Sequence, residues 1–82
     1  MNTQVIIEAL QEKELRKDKN LWDYLLLKLD NGERILVFPS HIDSSEWNKL
    51  IEGEQYSFTV ETNEDDLNVL VSFEPTGESI FI

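Results

Sequence analysis

The chain has 82 residues, no cysteine and a net charge of −10 at neutral pH. That length holds one domain. The lack of cysteine excludes disulfides, thiolate catalysis and zinc–thiolate sites and sets a reducing, cytoplasmic location as the expectation, while the charge repels polyanions over most of the surface. No apolar run approaches the roughly 20 residues that cross a bilayer. The stretch from Met1 to Leu10 has no basic region ahead of its apolar residues, so it does not read as a signal peptide, and no membrane association is expected.

The first strand-like run is Gln4 to Leu10, apolar and β-branched, with Val5, Ile6 and Ile7 consecutive. A strand that bends and pairs on both sides tolerates such a blurred pattern. The second run, Leu21 to Leu29, and the third, Arg34 to Phe38, flank Asp30-Asn31-Gly32-Glu33. Asn-Gly predicts a hairpin, because a type I′ turn needs positive φ at both central residues. A two-residue turn there sets Leu25 opposite Phe38 and Leu27 opposite Leu36 as the core face. Trp22, Tyr24, Leu26 and Lys28 then face outward beside Ile35 and Val37. A short helix follows over Ser44 to Glu52. Asp43 and Glu46 form its capping box, Trp47, Leu50 and Ile51 its buried stripe, and Gly53 its left-handed end. The fourth run, Gln55 to Glu61, alternates with Tyr56, Phe58 and Val60 on one face. The fifth, Leu67 to Phe73, alternates with Leu67, Val69, Val71 and Phe73.

The expected class is all-β with one short helix, in the order β-β-β-α-β-β. This order resembles the OB-fold, a five-stranded, partly open Greek-key barrel. The resemblance covers residues 1–77 and is to a fold, not to a particular family. It implies that the helix plugs one end of the barrel and that ligands meet the faces of strands two and three and the loop between strands one and two. Charge partitions along the same lines. Residues 13–34 hold six of the seven cations (Lys13, Arg16, Lys17, Lys19, Lys28 and Arg34) and carry +1, whereas residues 35–82 carry −9. The outward face also resembles the single-strand-binding face of OB-folds, where aromatics stack on bases beside basic side chains. The candidate binding residues are therefore Trp22, Tyr24 and Lys28, with Arg16, Lys17 and Lys19 at the edge. Residues 78–82, Glu78-Ser79-Ile80-Phe81-Ile82, form a tip expected to pack as a short extra strand or against the Trp22 face. The tip also resembles the acidic, aromatic-ended tails by which bacterial single-strand-binding proteins recruit partners.

Residue types for catalysis are scarce. His41 is the only histidine. Neighbours such as Ser40, His41 and Asp43 on one loop seldom aim together as a triad must, so no catalytic residue is assigned. The cluster from Glu61 to Asp66 lacks the spacing of a calcium loop and reads as a solvated hairpin tip. No metal or other cofactor is expected. Three functions follow, in this order. The first is an acidic protein–protein interaction module or regulatory subunit; the second binds single-stranded nucleic acid through strands two and three; the third is an acidic mimic that inhibits a nucleic-acid enzyme. Composition leaves the oligomeric state open.

Overall fold

A computed structural model describes residues 2–17 and 23–76. The elements are β1 (Asn2–Lys17), β2 (Asp23–Leu29), β3 (Arg34–Val37), a 3-10 helix (Ser44–Lys49), β4 (Gln55–Thr62) and β5 (Asn68–Pro75), which is the expected all-β order. The strands pair around a closed barrel in the sequence β1-β2-β3-β5-β4. Every pairing is antiparallel except the short parallel contact of β3 with β5, at Leu36 and Val69. No helix among the described residues is long and apolar enough to cross a membrane.

The first strand is much longer than Gln4–Leu10. It pairs with β4 from Asn2 to Ala9 and with β2 from Leu10 to Lys17. The join is a bulge, with Gln11 as the extra residue between Leu10 and Glu12. A bulge bends a strand and switches the face of every later side chain. Ile6 and Leu10 point into the core ahead of it; beyond it Lys13 and Leu15 stand opposite the core residues Leu27 and Leu25, while Glu12, Glu14 and Arg16 take the outward face, and Leu15 is nevertheless 59 % exposed. Lys13, Arg16 and Lys17 therefore stand on a strand, not on a loop between strands one and two.

The β2–β3 hairpin corrects a second expectation. Leu25 pairs with Val37, Leu26 with Leu36, Leu27 with Ile35 and Lys28 with Arg34. The Leu29 amide donates to the Glu33 carbonyl and Gly32 donates back to the Leu29 carbonyl. Three residues, Asp30 to Gly32, thus make the turn, with Gly32 at φ 89° as its left-handed residue. A three-residue turn ending in a left-handed glycine is the next hairpin type after the two-residue one. One extra turn residue slips the register by one and exchanges the faces of β3. Ile35 and Val37 are fully buried, and Leu36 and Phe38 are half-buried on the outside, the reverse of the expectation.

The helix is 3-10, not α. Glu46 donates to the Asp43 carbonyl and Leu50 to the Trp47 carbonyl, both three residues back. At three residues per turn, positions i and i+3 eclipse. Trp47 and Leu50 therefore both bury, and Ile51 rotates into solvent at 55 % exposure. The capping box does not form: Asp43 accepts from the Ser45 hydroxyl, and the Glu46 carboxylate pairs with Lys49 at 2.8 Å. Gly53 has the expected positive φ, but it does not end the helix, which stops at Lys49 with Leu50 as its extended cap.

In β5 a bulge at Val71, between Leu70 and Ser72, breaks the expected alternation. Leu70 and Val69 are buried, Val71 and Phe73 half-buried, and Leu67 is exposed ahead of the strand. Phe73 packs on the core rim, its ring edge-on to Tyr56. The core holds Leu10, Leu27, Leu29, Ile35, Val37, Leu50, Phe58, Val60 and Leu70, all fully buried. No buried side-chain polar atom among the described residues lacks a hydrogen-bond partner.

Candidate functional site: the outward face of β1, β2 and β3

The antiparallel registers assemble three cross-strand rows on the outside of the barrel. Arg16 stands opposite Tyr24, and the Tyr24 ring lies 5.8 Å from that of Phe38. Glu14 stands opposite Leu26, which faces Leu36. Glu12 stands opposite Lys28, which faces Arg34. Opposed side chains on one sheet face lie within about 5.5 Å at Cβ, so each row is a contact set. Glu12, Glu14, Arg16, Leu26, Lys28 and Arg34 line a shallow concavity of about 170 Å³.

The chemistry of this face is mixed. Tyr24, Leu26, Leu36 and Phe38 form an apolar stripe, each half-buried. Three cations, Arg16, Lys28 and Arg34, are interleaved with Glu12 and Glu14. Arg16 is already engaged: its guanidinium donates to the Glu14 carboxylate at 3.3 Å. That hydrogen bond and its charge raise the Arg16 pKa further above its ordinary value, with Tyr24 adding a smaller effect. The exposed pair contributes little stability, but the Glu14 carboxylate offsets part of the attraction this corner offers to a phosphate.

Of the residues expected at the site, Tyr24, Lys28 and Arg16 come together here. Lys17 is the last residue of β1, opposite Asp23. By strand alternation it projects to the side of Lys13 and Leu15, away from Arg16. Trp22 and Lys19 lie outside the described residues, as does the tip from Glu78 to Ile82. Sequence reasoning missed Leu36, Phe38 and Arg34 because it used the shorter turn. It missed Glu12 and Glu14 because it ended the first strand at Leu10. The i, i+2 spacing of Glu12, Glu14 and Arg16 was the available signal.

Other polar groups do not converge in the same way. The Ser40 hydroxyl lies 3.2 Å from the His41 ring, and the Asp43 carboxylate is taken by Ser45 instead of His41. A concavity of about 430 Å³ between the 3-10 helix and β5 is lined by Ile42, Tyr56 and Phe73 with the Glu46–Lys49 pair at its rim. At the β4–β5 tip the Asn63 side chain accepts from the Asp65 and Leu67 amides, and Asp66 takes a positive φ of 59°. Among the described residues no three acidic or histidine side chains gather closely enough to hold a metal ion. A comparison with models of known protein families gives no match, and neither does a comparison with curated proteins.

Proposed function

We propose that the chain is a non-catalytic binding module of the OB type that docks on a protein partner through the outward face of β1, β2 and β3. The OB reading is supported by the β1-β2-β3-β5-β4 order, by the parallel closure of β3 on β5, and by a long bent first strand shared between two pairings. The observation that carries the functional reading is the outward stripe of Tyr24, Leu26, Leu36 and Phe38. A contiguous apolar patch on a small surface marks a place where something docks, and aromatic side chains of this kind supply the anchors of protein interfaces. A regulatory role in the cytoplasm fits a small acidic domain of this kind.

Single-stranded nucleic acid is the second reading. The Tyr24–Phe38 ring pair beside Lys28 and Arg34 favours it, since stacking platforms with flanking cations hold single strands. Glu12 and Glu14 among those cations, and the net charge of −10, favour the protein partner. The acidic-mimic reading comes third and rests on the −9 of residues 35–82.

Capture of partners from native extract, with and without nuclease, tests the reading alongside titration with a labelled oligothymidine. The protein reading expects capture that survives nuclease and is lost in Tyr24→Ala, with no saturable oligonucleotide binding at physiological salt. Saturable binding that falls log-linearly with salt and disappears in Tyr24→Ala or Lys28→Glu puts nucleic acid first. Identical capture by wild type and Tyr24→Ala, with no oligonucleotide binding, removes the face as a site.

A further inference from the structure

The two halves of β1 leave two lengths of strand edge open, and the two differ in chemistry. The Leu10 amide donates to the Glu54 carbonyl of the β4 side, and the Ala9 carbonyl accepts from Asp30 on the β2 side. Main-chain groups alternate in direction along a strand. Gln4, Ile6 and Glu8 therefore bond to β4, and the N–H and C=O groups of Thr3, Val5 and Ile7 point the other way. Among the described residues no strand pairs with that edge. Beyond the bulge, Lys13 and Lys17 flank Leu15 on the second open edge, and the Lys13 amide there is already taken by the Glu52 carboxylate at 3.0 Å. Lysines on an edge are a recognised guard against strand addition. The first edge has no such guard. Asn2 to Ile7 carries no charge, and Val5 and Ile7 are 59 % and 56 % exposed.

We propose that the Thr3–Ile7 edge of β1 pairs antiparallel with the same edge of a second copy, joining the β5-β4-β1 sheets of two barrels across a two-fold axis. The edge is self-complementary, as a two-fold interface requires. Centred on Val5, the pairing sets Val5 against its own symmetry mate and Ile7 against Thr3 of the second copy, so no like charges oppose. On β4 the cross-strand neighbours of Val5 and Ile7 are the uncharged Thr59 and Ser57, while Glu61 stands opposite Thr3 at the end of the run. In a chain of net charge −10, pairing along this run sets no charged residue at the seam itself. A second copy also satisfies both donors and acceptors of the open edge, using β-branched side chains suited to a pleated surface. The interface is small and lies between acidic bodies, so the dimer is weak and added salt tightens it by screening the repulsion.

Sedimentation equilibrium of the full chain across concentration, at about 0.05 M and about 0.5 M salt, tests the proposal. The expected result is a reversible monomer–dimer equilibrium that strengthens with salt and is weakened on the order of tenfold or more by Val5→Lys. Val5→Pro removes an N–H that bonds to no β4 residue and should act in the same direction; should it unfold the chain, Val5→Lys decides. Amide exchange followed against concentration gives an independent readout. Thr3, Val5 and Ile7 amides should gain protection as dimer forms, while Ile6 and Glu8 stay protected throughout. A chain that remains monomeric at millimolar concentration overturns the proposal. So does a dimer that survives Val5→Lys, one that salt weakens, or one abolished by Leu15→Lys, which would place the contact on the lysine-flanked edge.

Discussion

The hydroxyl of Tyr56 is the most informative single group to remove. It donates to the Lys49 carbonyl and accepts from the Ile51 amide, both at 2.8 Å. These two bonds clamp the end of the 3-10 helix to β4, at the level where Leu50 enters the core. Tyr56→Phe deletes both and leaves the ring contacts with Phe58 and Phe73 in place. At about 0.5–1.5 kcal/mol for each hydrogen bond, the loss comes to about 1–3 kcal/mol. For a domain this size that lowers Tm by roughly 5–20 °C. Thermal unfolding followed by circular dichroism measures it, and hydrogen exchange at Ile51 localises it, because that amide loses its only partner here. A Tm within roughly 2 °C of wild type, with unchanged exchange at Ile51, refutes the idea that this hydroxyl holds the helix to the barrel.

Three further outcomes follow from the register and the bulges. Ile35→Ala should cost about 2–5 kcal/mol and Leu36→Ala clearly less, since only Ile35 is fully buried; chemical denaturation of the two proteins checks the order, and the reverse order restores the two-residue turn. Leu10→Ala should likewise cost about 2–5 kcal/mol, whereas Leu15→Ala should stay within about 0.5 kcal/mol because Leu15 is 59 % exposed; equal losses would mean that Leu15 is covered in solution. Gly32→Ala meets no atom within 4 Å of the added Cβ, so its cost is that of the φ of 89° alone, about 1–2 kcal/mol; an unchanged denaturation midpoint would count against the left-handed conformation of Gly32.

The order of elements and most of the β4 core were legible along the chain. Period-2 alternation in Tyr56, Phe58 and Val60 needs only the pleat of a single strand, and burying one face selects one phase. The positive φ of Gly53 was equally local, because glycine alone adopts it freely. Register was not local. Asn31-Gly32 suits both a two-residue turn and a three-residue turn with a left-handed glycine, and the choice moves Leu36 and Phe38 from the core to the outward face. The bulges at Gln11 and Val71 are likewise consequences of closing the sheet, since a bent β1 must reach β4 with one half and β2 with the other. The candidate face shares this origin. Tyr24, Lys28 and Arg16 were found from residue type, whereas Leu36, Phe38, Glu12 and Glu14 joined them only when pairing across three strands fixed which side of the barrel each residue occupies.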